Sequence, residues 1–114
     1  MSDCIFCKIV SGDLPGKFVY RDELVSAFHD INPAAPVHIL VIPNKHIAST
    51  NDLSVHDEQL MGHLLLTVKK IAEDEGIAED GYRLVVNTGA NANQLVPHLH
   101  VHILGGKNMI HPMG

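Results

Sequence analysis

His98-Leu99-His100-Val101-His102-Ile103-Leu104, closed by Gly105-Gly106, is the stretch from which this chain is best read. Histidine and aliphatic residues alternate along it. Alternation is the period of a β-strand, so the three imidazoles fall on one face and Leu99, Val101 and Ile103 on the other. One face can pack into a core while the other presents a row of titratable nitrogen bases. A strand gains no stability from three histidines, so the pattern points to chemistry. Three readings are open on the residues alone. The row is the histidine-rich polar face of an edge strand, a zinc site shared by neighbouring imidazoles, or a neutral imidazole nucleophile with supporting bases.

Outward from this run, Pro97 opens the strand, a position that tolerates proline. A loop of small and polar residues, Thr88 to Val96, precedes it, and Tyr82 to Asn87 reads as another strand. Val37 to Ile42 is apolar enough for a central strand, which Pro43 ends. Phe18 to Tyr20 and Leu24 to Phe28 read as two more strands around an Arg21-Asp22-Glu23 turn. Ser54 is a good N-cap for a long helix. Leu60, Met61, Leu64, Leu65, Val68, Ile71 and Ala72 recur at helical spacing, and Gly76 fits its C′ position. His56 and His63 are expected on a solvated face of that helix. Asp3 can cap a short helix from Cys4 to Val10, broken by Ser11-Gly12-Asp13. The expected fold is α+β: about five strands in a mainly antiparallel sheet, one long and one short helix, and a single domain over residues 1–114.

The formal net charge is −5 and the pI about 5.9. Binding along a nucleic-acid backbone needs clustered Lys and Arg, so it is not expected. A small nucleotide is compatible with this charge. No apolar run is long enough to cross a bilayer, and the first residues do not read as a secretory signal. The two cysteines form Cys4-Ile5-Phe6-Cys7, too close in sequence to staple a fold. A reducing, cytoplasmic setting is the expectation. A C-x-x-C pair alone leaves open redox activity, half a zinc site, or two buried thiols. A thioredoxin-like reading lacks the preceding strand and surrounding βαβ unit.

The histidine run has the form of the defining motif of the histidine triad superfamily of nucleotidyl hydrolases and transferases. Phe28-His29-Asp30-Ile31, Pro36 to Ile47, Val85-Val86-Asn87-Thr88-Gly89, Gln94 and Gly105-Gly106 extend the resemblance over nearly the whole chain. It looks most similar to the Hint branch, the histidine triad nucleotide-binding proteins. The resemblance implies that His100 attacks the α-phosphorus of a purine nucleotide or nucleoside phosphoramidate, forming a covalent nucleotidyl-histidine that water then cleaves. His102 would contact phosphate and assist the leaving group, with His98 and His38 behind the row. Asn87 and Gln94 would bind near the phosphate and Asp30 would hold the ribose. Ile5, Phe6, Ile9, Phe28, His29 and Ile31 would border the base; on the residues alone the apolar ones read as ordinary core. No cofactor is implied for catalysis. Some relatives hold a structural zinc through positions matching Cys4, Cys7, His46 and His98. A homodimer is also implied. Leu95 stands where the branch usually has a serine, and His111 where it usually has tryptophan. Dinucleoside polyphosphate hydrolysis, nucleotidyl transfer, and nucleotide binding with little turnover remain as alternatives.

Overall fold

The structure, a computed structural model, describes residues 3–112. Five strands form one sheet: β1 (Phe18–Arg21), β2 (Val25–His29), β3 (Val37–Pro43), β4 (Tyr82–Val85) and β5 (Val101–Gly105). Their spatial order is β1-β2-β3-β5-β4. Every neighbouring pair is antiparallel. Two helices complete the fold, α1 (Ile5–Ser11) and α2 (Glu58–Asp74).

Register explains how both faces of the sheet are used. Ile39 lies opposite Ile103 and Val41 opposite Val101. This face packs, with Val25 and Ala27, against Leu64, Val68, Ile71 and Ala72 of α2. On the alternate positions Leu40 lies opposite His102 and His38 opposite Leu104. Leu40, Ile42 and Phe28 pack against Phe6 and Cys4 from the α1 end of the chain. The histidine face is therefore the α1 face. The apolar run of β3 belongs to a strand covered on both sides, as its central place requires.

The histidine run is a ladder strand only from Val101 onward. The last β3–β5 partners are Val41 and Val101. Beyond them Pro43 has no N–H to give, and its carbonyl accepts the His98 ring at 2.8 Å. The chain through His98 continues beside the loop after β3, where the Leu99 N–H reaches the Ile47 carbonyl at 2.7 Å. The row of imidazoles is largely covered. His98 is 0 % exposed, and His38 and His100 are each 7 %.

Cap chemistry sets the helix ends. The Sγ of Cys4, not Asp3, caps α1 by accepting the Cys7 N–H at 3.4 Å. Ser54 caps a 3₁₀ turn, Val55–Asp57, that runs directly into α2, and the Asp57 carboxylate completes a capping box. His56 thus lies in that turn. Gly76, at φ 75°, ends α2. Its N–H bonds to Glu73 and that of Ile77 to Ala72, the paired bonds of a Schellman motif.

His63 is not merely solvated. Its Nε2 lies 2.6 Å from Asp22 Oδ2 and ties α2 to the β1–β2 hairpin. Asp22 also accepts the Tyr20 hydroxyl and the Leu24 and Val25 N–H groups. Burial works to raise the Asp22 pKa, but these hydrogen bonds together hold it far below the usual carboxylate value. No helix among the described residues is long and apolar enough to cross a membrane.

Candidate active site and the thiol–imidazole cluster

His100 Nδ1 lies 2.7 Å from the carbonyl oxygen of His98. A carbonyl only accepts, so this nitrogen carries the hydrogen of the neutral ring. The lone pair is thereby assigned to Nε2, the nitrogen free to attack an electrophile. Phe6 meets the His100 ring edge-on, with centroids 5.1 Å apart and planes at 89°. The His100 ring is thus fixed by a hydrogen bond to its own strand and by an aromatic wall from α1.

The tautomer of His102 follows in the same way. The Ala34 N–H donates to His38 Nδ1 at 2.9 Å, so neutral His38 carries its hydrogen on Nε2. That Nε2 lies 2.9 Å from His102 Nδ1, which must accept. Neutral His102 then holds its hydrogen on Nε2. Burial, then the neighbouring His100 and His38, push the His102 pKa down to about 4. His38 is also lowered, by burial, with Asp30 acting against the shift. The His100 and His102 ring centroids are 4.9 Å apart. The arrangement pairs a nitrogen lone pair with a neutral N–H donor.

Asp30 follows β2. Its Oδ1 accepts the Asn32 N–H at 2.7 Å, and Oδ2 is 3.4 Å from His38 Nε2. Asn87 closes its loop by donating to the Ala92 carbonyl at 2.9 Å. Gln94 donates to the Ala48 and Val96 carbonyls and accepts the Gly89 N–H. Both its amide hydrogens are spent bracing the loop before the triad. Phe6 and Phe28 form a buried edge-on pair at 5.5 Å, with Ile9 beside them. His29 is exposed at the end of β2. Ile5 and Ile31 are 47 % and 91 % exposed.

The second constellation stands behind the first. His98 gives its Nε2–H to Pro43, so its Nδ1 lone pair points the other way. That Nδ1 lies 3.2 Å from Cys4 Sγ, 3.5 Å from Cys7 Sγ and 3.2 Å from His46 Nδ1. Cys7 Sγ is 3.3 Å from His46 Nδ1. Ligands of a tetrahedral zinc, at about 2.3 Å for sulfur and about 2.05 Å for nitrogen, sit about 3.3–3.8 Å apart. The four donor atoms lie within 4.8 Å of one another and are of the types that hold a metal ion. Asp30, His38 and His102 also converge, but their hydrogen bonds account for that grouping. Burial lowers the His98 pKa, so the lone pair stays available.

Sequence reasoning missed the backbone groups: the Ala34 N–H, the Pro43 carbonyl and the His98 carbonyl. Any residue type supplies them, so no side-chain pattern marks them. They nevertheless assign which nitrogen of each ring carries hydrogen.

Comparison with known proteins agrees with this geometry. Residues 11–109 match the HIT domain family. The chain is 51 % identical over 105 residues to the purine nucleoside phosphoramidase of Escherichia coli K12, covering 92 % of this chain and 88 % of that protein. The crystal structure of a HIT family hydrolase from Legionella pneumophila superposes with a TM-score of 0.96 at 46 % identity, covering 98 % of this chain and all of that one. A histidine triad protein from Clostridium difficile gives a TM-score of 0.93 at 43 % identity, covering 97 % and 96 % of the two chains. Motif, fold and imidazole geometry agree, and the chain belongs to the HIT domain family.

Proposed function

We propose that the protein is a purine nucleoside phosphoramidase that works through a covalent nucleotidyl-histidine. The observation that carries this is the 2.7 Å bond from His100 Nδ1–H to the His98 carbonyl, which commits the Nε2 lone pair to attack. Nε2 attacks the α-phosphorus, the P–N bond to the leaving amine breaks, and the amine departs with the proton of the His102 Nε2–H, which the attacking water later returns. Water then attacks the phosphorus, releasing the nucleoside monophosphate and restoring His100. The Nε2–H of His102 hydrogen-bonds to the phosphoryl oxygen or the leaving amine. His38 holds the His102 ring, and His98 holds His100 through its carbonyl. Asp30 offers its carboxylate to the ribose hydroxyls, while Asn87 and the loop braced by Gln94 border the phosphate. Phe6, Ile9, Phe28, His29 and the exposed Ile5 and Ile31 border an apolar slot for a purine. The naming of the Escherichia coli relative supports this substrate class.

The test is release of AMP from adenosine 5′-phosphoramidate by the wild type beside His100→Ala. Wild type should turn over, and the variant should lose about three orders of magnitude or more, because the covalent route is gone. A wild type that binds AMP but is as inert as His100→Ala overturns the hydrolase reading. The chain would then be a nucleotide-binding protein. Leu95, 88 % exposed and unable to donate a hydrogen bond, would be the first position to change.

Cys4, Cys7, His46 and His98 are assigned a structural zinc, on the donor set and distances above. Bound there, the ion would join α1, the loop after β3 and the segment before β5. A homodimer is also part of this reading. β4 is an edge of the sheet, and Leu84 and Val86 are 40 % and 44 % exposed. On α2, Leu65 and Leu66 are 56 % and 68 % exposed. An unpaired strand edge with exposed aliphatic residues favours pairing with a second copy. Sedimentation equilibrium at twice the chain mass supports it, and a monomer at micromolar concentration refutes it.

A further inference from the structure

Cys4 and Cys7 both touch His98, the residue whose carbonyl holds the His100 ring. Cys4 caps α1 and Cys7 lies in its first turn. Phe6 lies between them in sequence and meets both His98 and His100 edge-on. His98 in turn holds His100 through its carbonyl. A change at the two sulfurs therefore reaches the nucleophile by two routes, the docking of Phe6 and the seating of His98.

The pair is placed for oxidation. The two sulfurs and the two Nδ1 atoms all lie within 4.8 Å of one another. Cys4 and the exposed His46 line a groove of about 380 Å³ with Ile5, Leu95, Val96 and Pro97. A small oxidant has a route to the Cys4 sulfur along it. We propose that Cys4 and Cys7 are an oxidisable latch, whose disulfide withdraws both sulfurs from His98 and His46 and loosens α1 from the catalytic histidines.

The chemistry balances with hydrogen peroxide as the two-electron oxidant. The thiolate of one cysteine attacks a peroxide oxygen, giving a sulfenic acid and hydroxide; this hydroxide, and the one released next, become water by taking up the two protons the thiols give up on ionising. The other thiolate attacks the sulfenyl sulfur, the S–S bond forms, and hydroxide leaves as a second water. The sulfurs lose two electrons and peroxide gains them. A disulfide has no S–H to donate and is a poor ligand, so a bound cation leaves without changing its oxidation state. The fully buried His98 Nδ1 is then left facing only the exposed His46 ring. The Cys7 N–H also loses the Cys4 sulfur as its acceptor at the cap.

Diamide makes the decisive test, since it takes the same two electrons and two protons from a dithiol. The full-length reduced protein is first assayed for zinc content. It is then oxidised and read by peptide mass mapping, amide hydrogen exchange and turnover. The expected result is a Cys4–Cys7 disulfide, exchange in α1 faster by about tenfold while α2 is unchanged, and turnover reduced by about fivefold or more. Dithiothreitol, with zinc restored, should reverse all three. Cys7→Ser should show no diamide-induced change in α1 exchange. A disulfide that leaves α1 exchange and turnover unchanged overturns the latch, as do thiols that remain titratable after diamide. The latch rests on the hydrolase reading only for its turnover readout. Zinc-free reduced protein refutes the metal assignment, and absent turnover before oxidation refutes the hydrolase reading. In either case α1 exchange still decides the latch.

Discussion

Phe6→Ala tests whether α1 is a working part of the site. Phe6 is 5 % exposed, with ring contacts to Phe28 at 5.5 Å, His100 at 5.1 Å and His98 at 5.9 Å. A buried phenylalanine removes about 150–250 Å² from water. At about 25 cal/mol per Å² this is about 4–6 kcal/mol, an upper bound because the unfolded chain is not fully extended. Measured Phe→Ala costs in cores are about 3–5 kcal/mol. The α1 helix is seven residues long, so the variant can also respond by releasing it as a unit. The global loss is then limited to what docking of α1 contributes, and α1 alone exchanges fast. The chain has no tryptophan, so urea unfolding is followed by far-ultraviolet circular dichroism. The expectation is a loss of about 3 kcal/mol or more, or selective release of α1. In either case kcat/KM should fall at least about tenfold, because His100 loses its aromatic wall. A stability loss under about 1 kcal/mol with unchanged turnover and α1 exchange would refute this account of Phe6.

Stability should fall on acidification before the carboxylates titrate. His102 has a folded pKa of about 4 against 6.5 unfolded, so the unfolded chain binds more protons between these values. Its contribution is complete above pH 6.5 and is lost as the pH falls through 4, with an upper bound of about 3 kcal/mol. His38 is shifted in the same direction, and Asp22, held low, adds a further loss at more acidic pH. Equal urea midpoints at pH 7 and 4.5 would contradict this. Gly105→Ala should cost about 1–3 kcal/mol, because an added Cβ would meet Ile77 Cδ1 at 2.7 Å. Gly62→Ala, with nothing within 4 Å of its Cβ, is the matched control and should be neutral or stabilising. His63→Ala should cost about 1 kcal/mol, since the Asp22 pair is partly exposed and screened. Removing zinc with a chelator should lower Tm and speed α1 exchange, and readdition should restore both. A Tm insensitive to chelation would speak against the metal assignment.

How much of this was legible depended on periodicity. The β3 apolar run, the helical spacing of α2 and the alternation from His98 to Leu104 each carry their own period, so element types could be assigned from local pattern. Boundaries were less legible, because hydrogen-bond partners end a strand. The histidine run continues its alternation through Leu99, while the ladder stops at Val101 because Pro43 offers no N–H and its carbonyl is taken by His98. The Cys4 cap was likewise hidden, since Asp3 is the better cap by residue type and only placement brings Cys4 Sγ to the Cys7 N–H. His63 read as solvated because its partner, Asp22, is far away in sequence.

The sequence alone determined which chemistry was available: three imidazoles on one face, a thiol pair, and a family motif spanning nearly the whole chain. Those follow from residue identity and a strand period of two, which are local. Only the tertiary structure decided which nitrogen of each ring holds the hydrogen. The Ala34 N–H, the His98 carbonyl and the Pro43 carbonyl set the tautomers of His38, His100 and His98, and His38 then sets that of His102. Folding also decided that Cys4, Cys7, His46 and His98 share one place. Backbone donors and long-range convergence carry no residue signature, so they exist only once the sheet has brought the segments together.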